Sequence, residues 1–147
     1  MGTRADFYVG RGAKAEWIGS ISMDGYPEGI TPENYNWPEG GHLFDSITED
    51  EFRNRVELFF KDRNDVTLPE QGWPWPWNNS NLTDYSYAFD DDKVYGTCFG
   101  HGWWEANNPK DDENFPKFSD DEWPDMNSRK KVAFGSRSGL LIVTSKR

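Results

Sequence analysis

The sequence predicts an α+β fold forming a single domain over residues 1–147. Its core is a twisted, mostly antiparallel sheet of about six strands, with one amphipathic helix at about 48–62 on one face and long aromatic-rich loops. Three observations lead there. Two stretches alternate like β-hairpins, and one carries a helix start signal followed by a 3.6-residue apolar stripe. Eight Trp, ten Phe and six Tyr are also far more aromatic surface than an unfolded polar chain carries.

In chain order, "ADFYVGRGAKAEWIGSISM" reads as the first hairpin, with an apolar strand at 7–9, "GRGAK" as the turn, and Trp17, Ile18 and Ile21 returning. "DGYPEG" at 24–29 ends it, and 30–46 shows no sustained period and reads as loop. In "TEDEFRNRVELFFKDR", Thr48 is a good N-cap and Glu51 completes a capping-box pattern. Phe52, Val56, Phe59 and Phe60 then make one stripe, with Glu49 and Asp50 in the first turn and Lys61 and Arg63 in the last. Residues 64–83 read as a long loop. "DYSYAFDDDKVYGTCFG" is the clearest hairpin, turning at 90–92. Residues 100–128 read as polar and irregular. "KVAFGSRSGLLIVTSKR" predicts two more strands, with the run LLIV at 140–143 as a central buried one. The helix is expected to cover one face of the sheet, and the aromatic loops the other face or an edge.

The loop "GWPWPWNNS" at 72–80 places Trp73, Trp75 and Trp77 on alternate positions between Pro74 and Pro76. The prolines hold the segment extended but bar it from a central strand. Aligned indoles would make a lid over the sheet or a wall for a ligand. Indoles fanned around a polyproline path would leave at least one pointing outward. The lid is the expected arrangement.

Charge is segregated. Residues 1–125 hold all 26 acidic residues and 10 of the 16 basic ones, a net of −16, whereas 126–147 carry +6. Such a chain is repelled by free nucleic acid and by anionic membranes and is drawn to basic partners. The segment 84–125 alone carries −9, interleaved with Trp103, Trp104, Phe115, Phe118 and Trp123. Carboxylates spread over a folded surface can imitate duplex phosphates, and neighbouring aromatics can anchor an interface. The same residues also fit a solvated loop whose aromatics turn inward.

Few residues offer chemistry. Cys98 is the only cysteine, so no intrachain disulfide is expected, and it lies three residues before His101. A thiol beside a histidine suits a nucleophile and its base, but no third member stands at a diagnostic spacing. The acidic runs at 90–92, 111–113 and 120–122 lack the alternation and central glycine of a calcium loop, and the two histidines lie far apart in sequence. No metal and no cofactor are expected. There is no apolar run of membrane-spanning length and no secretion signal, which places the expected chain in a cytoplasm.

One segment resembles known proteins. "MGTR" at 1–4 and "DGYPEG" at 24–29, joined by the short hairpin, resemble the opening of a group of small uncharacterised bacterial and bacteriophage proteins. The resemblance covers about the first 30 residues. It implies a phage or prophage setting and a bacterial host, and brings no catalytic residues with it.

The leading functional expectation is a non-enzymatic acidic protein that occupies a basic site on a host protein, such as one in a nucleic-acid-handling complex, as an anti-defence inhibitor would. Trp103, Trp104 and Trp123 would be its anchors, and Asp111, Asp112, Asp120 and Asp121 its charge. An alternative is a binder of small nucleotide signals using Trp73, Trp75 and Trp77 as a wall, with Arg129, Lys130 and Lys131 on the phosphates. A further alternative is an enzyme built on Cys98 and His101. The sequence leaves the oligomeric state open.

Overall fold

The computed structural model describes residues 2–38, 41–100, 102–107, 123, 124 and 126. Its centre is a six-stranded sheet in the order β3-β2-β1-β4-β5-β6. The first hairpin supplies β1 (Ala5–Val9) and β2 (Glu16–Ile21), and the second supplies β4 (Tyr85–Asp90) and β5 (Lys93–Cys98). β1 and β4 pair in parallel, placing Ala5 opposite Tyr85 and Val9 opposite Phe89, and every other pairing is antiparallel. The architecture is therefore α+β, as the alternating stretches and the single long helix imply.

The tight turn of the second hairpin is made by Asp91 and Asp92 at φ 53° and 63°. Two successive left-handed residues match the twist of the flanking strands, and aspartate tolerates that region better than most side chains. The acidic run at 90–92 thus has a backbone role. In the first hairpin the register shifts between Phe7 and Tyr8, so Phe7 faces Gly19 and Tyr8 faces Trp17. Ile18 is the extra residue of this bulge. A Cβ on Gly19 (φ +150°) would come within 2.5 Å of the Phe60 ring, so the close approach of helix and strand requires glycine.

The helix α2 runs over Glu49–Phe60. The Thr48 hydroxyl accepts from the Glu51 backbone N–H at 3.1 Å, and Glu51 reaches back to the Ile47 N–H at 2.9 Å, one residue short of Thr48 itself. The helix ends earlier than its charge pattern suggests. Lys61 is its C-cap, and Arg63 lies beyond, bound to Asp65 and to the Met23 carbonyl.

Each face of the sheet carries its own core. On one, Phe52, Val56, Phe59 and Phe60 of α2 meet Ala5, Phe7, Ile21, Tyr87, Phe89 and Val94, with Ile30, Leu43 and Phe44 filling in from the connection. On the other, Tyr8, Trp17, Ala88 and Tyr95 form the floor under Trp73, Trp103 and Met126, with Trp75, Trp77 and Trp123 at the margin.

Several short elements lie where the sequence reads as loop. They are α1 (Pro27–Ile30), β3 (Val66–Thr67), β6 (Trp104–Glu105) and single 3-10 turns at Leu43–Asp45, Pro69–Gln71 and Ser80–Leu82. Elements of two to four residues are too short to display a period, so only tertiary pairing reveals them. The two strands expected near the C-terminus, including the run at 140–143, lie outside the described residues. Two of the six observed strands, β3 and β6, are therefore different from those expected.

Candidate functional site

The bulge and the register place a row of polar side chains across the second face. Ser20 on β2 is opposite Asp6 on β1, Asp6 is opposite Ser86 on β4, and Ser86 is opposite Thr97 on β5. All four are buried, Asp6 completely. Directly beside them runs an aromatic row, Trp17 opposite Tyr8 and Ala88 opposite Tyr95. Alternation along β1 divides the strand: Ala5, Phe7 and Val9 face the helix, and Asp6 and Tyr8 face the tryptophans.

Asp6 is the hub of this layer. Its Oδ1 accepts from Ser20 Oγ at 2.5 Å and from Trp75 Nε1 at 2.7 Å, and its Oδ2 accepts from Ser80 Oγ at 2.5 Å. Ser20 Oγ in turn accepts from Trp17 Nε1 at 2.9 Å. The Tyr8 hydroxyl lies 2.8 Å from Ser80 Oγ, and because Ser80 donates its one proton to Asp6, Tyr8 is the donor. Burial pushes the Asp6 carboxyl above its ordinary value, while the bonds from Ser20, Ser80, Trp75 and Thr83 pull it part of the way back.

This network answers the question posed by "GWPWPW". Trp73 is 2% exposed, packs edge-on against Trp17 at 5.1 Å, and donates its indole N–H to the Trp77 carbonyl. Trp75 and Trp77 are half-buried and stacked at 5.8 Å. Their N–H groups go to Asp6 and to the Thr83 hydroxyl. Every indole N–H of the loop therefore bonds inside the protein. The Arg4 guanidinium lies over both outer rings, at 5.8 and 5.2 Å. The loop is a lid.

Of the three anchors expected on the surface, Trp103 is buried and Trp104 and Trp123 are half-buried. Trp103, just before β6, and Trp104, its first residue, pack on opposite faces of the sheet, each on an apolar floor. Trp103 is 3% exposed in the second core, against Trp123 at 5.3 Å. Trp104 is half-buried on the helix side, and Trp123 is half-buried with its ring 5.7 Å from Tyr8. Asp111, Asp112, Asp120, Asp121, Arg129, Lys130, Lys131 and His101 lie outside the described residues. Cys98, half-buried at the end of β5, stands opposite Tyr85, whose hydroxyl is pushed up by burial and then by the thiol. Among the described residues, no three His, Cys, Asp or Glu side chains gather to hold a metal ion, and no helix is long and apolar enough to cross a membrane.

On the described surface the arginines are paired, whereas Lys14 and Lys61 are exposed without an ion pair. Every described arginine has an internal carboxylate partner: Arg4 with Asp84, Arg11 with Asp90, Arg53 with Glu16 and Glu49, Arg55 with Glu51, and Arg63 with Asp65. Arg4, Arg11 and Arg63 also lie over aromatic rings. Exposed carboxylates such as Asp50, Glu57, Asp62, Glu70, Asp91 and Asp92 make no ion pair among the described residues. Asp50 and Glu57 sit on the outer stripe of α2, opposite its phenylalanines.

Sequence reading missed Asp6, Ser20, Ser80 and Thr83. The signal available was an aspartate in the middle of "ADFYV", where alternation assigns it to a buried face. No family model matches this chain, and no curated protein or solved structure is significantly similar to it.

Proposed function

We propose that this chain is a non-enzymatic, acidic binding protein of phage or prophage type that occupies a basic site on a host protein. It would act as an anti-defence inhibitor that presents carboxylates in place of nucleic-acid phosphates. The observation that carries the reading is the sorting of charge. Each described arginine is paired with a carboxylate within the fold, while among the described residues the exposed carboxylates without an ion pair outnumber the exposed lysines without one, Lys14 and Lys61. The N-terminal resemblance supports the phage setting. Because Trp103 is buried, the binding energy in this reading rests on charge and on two half-buried indoles on opposite faces, Trp123 at the margin of the aromatic layer and Trp104 on the helix side.

The test is affinity capture from a bacterial lysate at low and at high salt, followed by mass spectrometry. Retention of a basic protein that is lost at high salt supports the reading. Two charge-reversed variants locate the surface, one at Asp50, Glu57, Asp62 and Glu70, the other at Asp111, Asp112, Asp120 and Asp121. Undiminished capture by both variants at low salt overturns it.

A second reading has one observation in its favour. Arg4 over the stacked Trp75 and Trp77 makes a corner of cation and indole that suits a planar anion such as a nucleotide. In this version the wall has two members, since Trp73 is buried. Tryptophan fluorescence titrated with a panel of nucleotides tests it, and a flat response across the panel removes it.

A further inference from the structure

The described arginines differ in how their guanidinium groups are engaged. Arg53 donates to Glu16 and Glu49, and Arg63 to Asp65 and the Met23 carbonyl. Arg11 donates to Asp90 and Arg55 to Ser46. The Arg4 guanidinium donates no hydrogen bond to any described residue. Its Nε is buried without a hydrogen-bond partner, 3.5 Å from Asp84 Oδ2, and the side chain is 36% exposed.

Asp84 accounts for this arrangement. Its Oδ2 already accepts the Arg4 backbone N–H at 2.8 Å, so the carboxylate stands beside Nε as a charge rather than as an acceptor. The backbone is held as well: the Arg4 carbonyl accepts from the Tyr85 N–H and the Asp84 carbonyl from the Phe99 N–H, each at 3.1 Å. The guanidinium lies over Trp77 and Trp75 at 5.2 and 5.8 Å, and those rings are pinned through their own N–H groups to Thr83 and Asp6. A ligand that takes up the outer nitrogens of Arg4 therefore breaks no hydrogen bond and orders no loop. At Arg53 or Arg63 it would have to displace a carboxylate.

We propose that the Arg4 corner takes a nucleotide with a single negative charge, a cyclic monophosphate or another phosphodiester, in preference to a di- or triphosphate. The proposal rests on the second reading above and adds a rule of charge to it. The two outer nitrogens form a fork that matches a pair of phosphate oxygens, and the indoles offer an apolar face to the base. A lone guanidinium attracts every further charge on a ligand and so favours polyphosphates. Here the Asp84 carboxylate stands 3.5 Å from Nε, and beyond the first phosphate the pair acts as a neutral unit. Additional phosphates gain nothing from Arg4, and the net charge of −10 on the chain repels them.

Titration of ¹⁵N-labelled full-length protein at low salt tests the rule, read at the indole N–H signals of Trp75 and Trp77 and at the Arg4 Nε–H. Cyclic AMP should move all three, with half-saturation at a several-fold lower concentration than metal-free ATP. Adenosine, which carries no charge, should leave the Arg4 signal in place. Added salt should narrow the gap between cyclic AMP and ATP. Asp84→Asn keeps an acceptor for the Arg4 backbone N–H and removes the charge, so ATP should gain several-fold on cyclic AMP. In Arg4→Met, cyclic AMP should bind no better than adenosine. ATP that binds as tightly as cyclic AMP in the wild type, or an unchanged ratio of the two in Asp84→Asn, overturns the charge rule and leaves the second reading standing. Undiminished binding of cyclic AMP to Arg4→Met overturns the assignment of the phosphate to Arg4. Signals that no nucleotide moves overturn the rule and the reading together.

Discussion

The ring of Trp104 lies where a side chain at Gly96 would be: a Cβ on Gly96 would come within 2.5 Å of both Cη2 and Cζ3. The two residues face each other across β5 and β6, so the short edge strand is seated by a flat indole on a bare backbone. Gly96→Ala should cost about 1–3 kcal/mol by overpacking. In a Trp104→Ala background the same change should cost well under 1 kcal/mol, because the clash is gone. Urea unfolding of the four members of this cycle measures the difference, and equal costs in both backgrounds would refute the seating.

The buried hydroxyls of the polar row should separate into two classes. Ser86 and Thr97 lack partners among the described residues, so Ser86→Ala and Thr97→Val should leave the urea midpoint unchanged or raise it. Ser80 is bonded to both Asp6 and Tyr8, and Ser80→Ala should cost about 1–3 kcal/mol. A loss of similar size at Ser86 would show that its hydroxyl is satisfied.

His42 predicts an acid limb in the stability profile. Burial and then the neighbouring Arg55 lower its pKa below the ordinary 6.5, and Asp45 only partly opposes them. Its Nδ1 accepts from the Phe44 N–H at 3.2 Å, and a protonated ring cannot do so. The unfolded chain thus binds the proton more readily, and stability should fall as pH drops below 6.5 towards the lowered folded value. His42→Asn keeps a capping acceptor and has no proton to gain, so thermal unfolding of this variant should lose that part of the slope.

Asp65 predicts a second limb at lower pH. Burial pushes its carboxyl up, but the Arg63 guanidinium at 2.9 Å and the Met23 N–H override this and hold it below the ordinary 3.8. Its contribution to stability is therefore complete above 3.8 and is lost as pH falls through the lowered folded value. Arg63→Met should cost about 3 kcal/mol near neutrality, since it leaves a buried carboxylate without its cation. The cost should shrink when unfolding is measured in acid. A cost that does not change with pH would show that Arg63 acts by packing on Phe59 instead.

Legibility in the sequence followed length and locality. The α2 stripe of Phe52, Val56, Phe59 and Phe60 and the alternation from Tyr85 to Phe89 repeat often enough to define a period. Val66–Thr67 and Trp104–Glu105 do not, and they become strands only because β2 and β5 offer them an edge. Charge was legible as a total but not as an arrangement. Which carboxylates face water depends on where Arg4, Arg11 and Arg63 fold back. Asp6 was the hardest to read, since it is one polar letter in an apolar strand and three of its partners lie at Trp75, Ser80 and Thr83. Only the parallel pairing of β1 with β4 brings those positions together.

That pairing also sets an order of events in synthesis. β1 lies between β2 and β4, so its second neighbour does not exist until Tyr85 to Phe89 have left the ribosome. At ordinary elongation rates the wait after Val9 is on the order of ten seconds. A lone two-stranded hairpin is marginal in water, so until α2 and β3 emerge the first hairpin has little to hold it. Phe7 can meet Phe59 and Phe60 of the helix before β4 emerges, but Tyr8 waits for its neighbour Ala88 on that strand.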